Sequence, residues 1–137
     1  MGTNGDVLLI YEQDLKRVED VLRTLLIDSQ SRCGLLINRD GSLISQQGDI
    51  GALDTAALAA LSAAGFAATK EIARQLGEPE FSVLFLQGAH EHMYVSLVND
   101  DALMMLVFDE RTTIGLVRAL AKDAAGKLST VFSSTKQ

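Results

Sequence analysis

Residues 81–108 read Phe81-Ser82-Val83-Leu84-Phe85-Leu86-Gln87, then Gly88-Ala89-His90-Glu91, then His92-Met93-Tyr94-Val95-Ser96-Leu97-Val98, then Asn99-Asp100-Asp101, and finally Ala102-Leu103-Met104-Met105-Leu106-Val107-Phe108. Three apolar, extended segments are separated by two short turn-forming links. A parallel crossover needs a dozen or more residues, so links this short predict an antiparallel meander. In the middle segment Met93, Val95 and Leu97 fall on one side, as the two-residue period of a strand requires. The last segment, 102–108, holds no polar residue at all, the pattern of a central strand covered on both faces.

Upstream of the meander, Asp54 can cap a long helix running to about Leu76, stopped by Gly77 with Pro79 close behind. Leu58, Leu61, Gly65, Ala68 and Ile72 mark one apolar face of it, while Ala56, Ala60, Ala63, Ala64 and Ala67 carry apolar character around to the other side. A helix apolar nearly all round is expected to be covered on both sides. Further upstream, the segment Cys33 to Ile37 and the segment Ser42 to Gln46 flank Asn38-Arg39-Asp40-Gly41, which is turn chemistry between paired strands. Residues 12–28 place Leu15, Val18, Leu22 and Leu25 at helical spacing with charges opposite. Downstream, Ile114, Val117, Ala121, Ala124, Leu128 and Val131 repeat along a helix that starts near Thr112 or Thr113 and ends around Phe132. The expected domain is α+β, in the order α-β-β-α-β-β-β-α, with a five-stranded antiparallel sheet and helices on both faces. It spans residues 11–132 between tails at 1–10 and 133–137.

Twelve basic against eighteen acidic side chains give a formal net charge of −6, which lacks the basic footprint of a nucleic-acid binder and disfavours anionic membranes. No apolar run is expected to approach the roughly 18 residues of a membrane span, and no basic leader opens the sequence. The single cysteine, Cys33, has no internal disulfide partner and fits a reducing compartment, so a cytoplasmic location is expected. A phosphate cradle is also missing. Gly126-Lys127 resembles the end of a P-loop, but Leu128 stands at the Ser/Thr position and Ala121 at the first glycine, inside a helix. His90 and His92 flank Glu91 in a turn without a second ligand cluster, and are expected to be solvated. Cys33, Ser42 and Ser45 carry no nucleophile signature. The paired acids Asp100-Asp101 and Asp109-Glu110 read as turn and cap residues. No metal, no cofactor and no catalytic residue are expected.

What remains informative is the alanine-lined helix, whose small side chains let another backbone approach and lose little entropy on doing so. Leu36-Ile37-Asn38-Arg39-Asp40-Gly41-Ser42-Leu43-Ile44-Ser45, Leu53-Asp54-Thr55 followed by Leu58, Leu61, Ala64-Gly65 and Ala67-Ala68, Gly77-Glu78 before Glu80-Phe81, Gln87-Gly88, and Phe108 through Arg118 form an ordered set. The set resembles the Roadblock domain family, and within it the MglB-like regulators of the Ras-like GTPase MglA. The likeness covers roughly residues 11–132. It implies a homodimer in which the long helices pair and the Phe81–Gln87 strands join, covering an otherwise sticky edge. It further implies that the dimer binds one GTPase through the paired helices and stimulates GTP hydrolysis without supplying an arginine finger. On that likeness the GTPase contact falls on Ala63, Ala64, Ala67, Ala68, Lys70 and Glu71, and the dimer interface on Leu58, Ala60, Phe81, Val83 and Phe85. Arg74 is expected in a solvated or salt-bridging role. Some relatives continue into a C-terminal segment that also touches the GTPase, whereas this sequence stops at Gln137, which leaves that segment's role open. Two other classes fit the same pattern less well: a passive Roadblock scaffold or adaptor, and a small-molecule sensor, which would need an internal polar cavity.

Overall fold

The computed structural model describes residues 12–135; the expected N-terminal tail at 1–10 lies outside them. The elements follow in the order α1 (Glu12–Ser29), β1 (Cys33–Asn38), β2 (Leu43–Gly48), α2 (Thr55–Gln75), β3 (Val83–Gln87), β4 (His92–Asn99), β5 (Ala102–Phe108) and α3 (Ile114–Thr135). All pairings are antiparallel and the sheet order is β2-β1-β5-β4-β3. The order α-β-β-α-β-β-β-α and the five-stranded sheet are those expected from the sequence.

The hairpin turn between β1 and β2 forms because Gly41 takes a positive φ of 93° and its N–H donates to the Asn38 carbonyl at 2.8 Å. Asp40 locks the turn by accepting from the Ser42 N–H at 2.9 Å and from its hydroxyl at 2.5 Å, an Asx arrangement that competes well with water. These bonds, the hydroxyl's first, hold the Asp40 carboxyl below its ordinary pKa.

Two apolar layers sandwich the sheet. On one face α1 and α3 bury Val18, Leu22, Val117, Leu128 and Phe132 against Leu36, Met104, Leu106 and Phe108. On the other, α2 sets Ala59 and Phe66 against Leu35, Ile37, Val95, Met105 and Val107. Every residue of β1 and of β5 is therefore buried, and each large side chain fully removed from water there stabilises the fold by roughly 1.5–3 kcal/mol.

Asp54 caps α2 by accepting from the Ala57 N–H at 3.0 Å, and Gly77, with a φ of 82°, follows the helix end at Leu76. Over an 18-residue window α2 reaches a mean hydropathy of 1.2. By length and composition alone it could cross a membrane, which the sequence reading did not expect; here its inner ridge is seated on the sheet.

Several boundaries differ from expectation by one to three residues: β2, expected from Ser42 to Gln46, runs Leu43–Gly48, β1 and β4 each extend by one residue, and α3 starts at Ile114. Phe81 lies outside β3 because its ring turns onto Phe66, with centroids 4.8 Å apart. The helix α3 runs past Phe132 to Thr135, so the expected tail from Ser133 begins as helix; Thr130 in its last turns returns its hydroxyl to the Gly126 carbonyl at 3.1 Å, a bond that the helical backbone accommodates.

Candidate functional site

Successive residues of an α-helix are 100° apart, and only one ridge of α2 meets the sheet. Ala59, Ser62 and Phe66 form that ridge and are buried. Small residues on it bring the helix close. A methyl group at Gly41 would lie 3.3 Å from the Ala60 Cα, which puts the β1–β2 turn against the first half of α2. On the opposite side, a methyl at Gly65 would lie 3.7 Å from the Leu84 side chain, which puts β3 against the other flank.

The exposed surface of α2 thus has two flanks of different chemistry. Toward β3 lie Leu61, Gly65, Ala68, Ile72 and Leu76, and three of these are large and open to water: Leu61 at 68%, Ile72 at 58% and Leu76 at 75% exposure. Leu86, on the same sheet face of β3 as Leu84, extends this apolar strip onto the edge strand and is also exposed. Toward the β1–β2 turn lie Ala56, Ala60, Ala63, Ala67, Lys70 and Arg74, with Ala64 and Glu71 on the crown between the flanks. Beneath the alanine flank is a cleft of about 300 Å³, lined by Arg39, Ala63, Phe66, Ala67, Lys70, Leu97 and Asp100 among others.

The six residues expected at the GTPase contact do not lie on one flank. Ala64, Ala67, Lys70 and Glu71 are exposed on the crown and the alanine flank, and Ala63 is half-buried beside them. Ala68 is exposed but belongs to the apolar strip. Glu71 accepts from Arg74 at 2.6 Å and from Gln75 at 3.0 Å; the Arg74 bond, and after it the Gln75 bond, lower its carboxyl pKa. Arg74 is accordingly a salt-bridging side chain.

The five residues expected at the dimer interface are dispersed. Leu58 and Phe81 pack against the α2-side core, whereas Val83 packs against the core beneath α1 and α3. Phe85 alternates to that second face as well, stacked near Phe108 with centroids 6.2 Å apart. Ala60 is exposed on the alanine flank. The exposed apolar residues Leu61, Ile72, Leu76 and Leu86 lie outside that expected set, although the spacing of Leu61, Gly65, Ala68 and Ile72 at alternating four and three residues marks one apolar face in the sequence.

His90 is exposed, but His92 is half-buried with its ring 5.3 Å from that of Phe108, so only the first is the solvated turn residue expected. Among the described residues no group of three His, Cys, Asp or Glu side chains gathers to hold a metal. Cys33 is buried, and desolvation first of all raises its thiol pKa, the opposite of an activated nucleophile.

Residues 17–108, from α1 to the end of β5, match the model of the Roadblock/LC7 domain. The chain belongs to the Roadblock/LC7 domain family. Among solved structures it is similar to Myxococcus xanthus MglB, with 34% identity, a TM-score of 0.82, and coverage of 86% of this chain and 96% of that one. It is similar to the gliding protein MglB from Thermus thermophilus, with 30% identity, a TM-score of 0.88, and coverage of 96% and 99%. A structure described as MglB with tetrameric arrangement is 30% identical, with a TM-score of 0.89 and coverage of 96% and 99%. The Roadblock fold and the likeness to MglB expected from the sequence are both found.

Proposed function

We propose that this Roadblock domain is a cytoplasmic regulator that, as a homodimer, binds one MglA-like Ras-type GTPase and stimulates its GTP hydrolysis by contact. The observation that carries the reading is the exposed surface of α2. Its apolar strip of Leu61, Ala68, Ile72 and Leu76 continues onto Leu86 of the edge strand β3, which pairs with β4 on one side and, among the described residues, with no strand on the other. A patch of this kind calls for a partner surface, and a second copy can supply a matching one by isologous pairing. We therefore revise the expected dimer residues toward this strip, with Phe81 supporting it from beneath and Leu58 serving the core.

Pairing along the apolar strip leaves the crown and the alanine flanks of two helices side by side and open. Ala63, Ala64, Ala67, Lys70 and Glu71 then form the surface offered to the GTPase. An arginine finger would be worth roughly 10³–10⁵ in rate; Arg74 sits in a surface ion pair with Glu71 and is assigned no such role, stimulation coming instead from repositioned groups of the GTPase itself. The domain is read as having no active site of its own.

The test is single-turnover GTP hydrolysis by a cognate MglA-like GTPase with increasing amounts of this chain. The proposal expects a saturable acceleration at two copies per GTPase. Saturable binding with an unchanged rate would instead establish a scaffold.

A further inference from the structure

On the sheet face away from α2, the edge strand β3 and the start of α3 border an open pocket of about 240 Å³. Its walls include the rings of Phe85, His92 and Phe108, with Phe85 and Phe108 nearly parallel at an interplanar angle of 18°. The exposed side chains of Phe85 and Ile114 make its mouth apolar. Its lining carries one carboxylate, Glu110, and no lysine or arginine. Among the described residues three polar side-chain atoms are kept from water without a hydrogen-bond partner, and two of them, His92 Nδ1 and Thr112 Oγ1, belong to residues lining this pocket. Native proteins seldom leave such atoms unpaired.

We propose that this pocket receives the guanidinium group of an arginine presented by a protein partner. A guanidinium is planar, cationic and donor-only. Its face stacks on aromatic rings, and its N–H groups match a threonine oxygen, an imidazole nitrogen and a carboxylate. Glu110 supplies the countercharge. The start of α3 would favour an anion by its dipole alone, but the Thr113 hydroxyl already accepts from the Leu116 N–H at 3.2 Å, and the nearby Glu110 carboxylate repels one. A second copy is the poorer source of the arginine. Five of the seven arginines, Arg17, Arg23, Arg32, Arg74 and Arg111, pair with a carboxylate of their own chain, and a net charge of −6 favours a basic partner over a second, equally acidic copy. The pocket opens away from α2, so its occupancy is independent of the GTPase reading.

The probe is N-acetyl-arginine amide, titrated into the full chain while the resonances of His92 and Thr112 are followed by NMR. Saturable shifts of both are expected, with an affinity on the order of millimolar, as for a single side chain. Glu110→Gln, a change on the exposed rim, should weaken binding by about tenfold or more through loss of a charge-assisted pair, and N-acetyl-lysine amide should bind several-fold more weakly for want of a planar face. Absence of saturable shifts, equal binding by Glu110→Gln, or a preference for inorganic phosphate would overturn the proposal. Binding seen only after dilution to single protomers would place the second copy there and overturn the partner assignment.

Discussion

Substituting Leu61 by alanine should weaken self-association while sparing the protomer. Leu61 keeps 68% of its surface in water within one chain. Complete burial of a leucine side chain is worth roughly 1.5–3 kcal/mol, so the exposed two-thirds leaves about 1–2 kcal/mol to be gained at an interface. A two-fold interface uses the residue twice, and Leu61→Ala loses most of both contributions, about 2–4 kcal/mol per dimer. That corresponds to a dissociation constant raised about 30- to 1000-fold. Sedimentation equilibrium over a range of concentrations reads this directly. Unfolding in urea, measured below the dissociation constant so that dimer formation adds nothing, should shift by no more than about 0.5 kcal/mol, as for other surface changes. An unchanged dissociation constant, or a protomer destabilised by more than about 2 kcal/mol, would refute the assignment of this flank to a second copy.

Removing the α2 cap with Asp54→Ala should cost about 1 kcal/mol in chemical denaturation, since the carboxylate accepts the Ala57 N–H. Gly48→Ala and Gly77→Ala make a matched pair, with φ values of 92° and 82°. At Gly48 the added methyl would lie 2.5 Å from the Arg32 carbonyl oxygen, whereas at Gly77 nothing lies within 4 Å. Backbone strain costs each variant about 1 kcal/mol or more, and Gly48→Ala should be the less stable of the two in urea unfolding; equal losses would mean that the β2 end yields freely. Asp40 is held below its ordinary pKa by Ser42. A depressed carboxyl stabilises the folded state above its unfolded pKa, and that contribution is lost as pH falls through the folded value. Asp40→Asn should therefore lower stability modestly at neutral pH and flatten the loss seen below about pH 4; the same slope in both proteins would contradict the assignment.

The strand pattern and order of elements were legible in the sequence because local rules govern them. Short links dictate antiparallel pairing, and an unbroken apolar run such as Ala102–Phe108 signals burial on both faces, as found. The pairing of β1 with β5 joins residues far apart in the chain, and no local pattern specifies it. The orientation of α2 was harder to read. Its apolar residues surround the helix, so periodicity cannot separate the ridge that docks from the stripe that does not. The sheet selects the ridge of Ala59, Ser62 and Phe66, where two small side chains permit close approach and one ring fills the gap beside Phe81. The larger Leu61, Ile72 and Leu76 are left outside. Alternation along β3 likewise sends Phe85 to the face opposite Leu84 and Leu86, which a list of its apolar residues does not reveal.

The most direct test of the account is GTP turnover by an MglA-like GTPase in the presence of Ala64→Arg, compared with the unaltered chain at equal concentration. Ala64 is exposed on the crown of α2, so the variant should fold and self-associate as before while its stimulation of hydrolysis and its binding are abolished. Full stimulation by the folded variant would contradict the claim that this crown meets the GTPase.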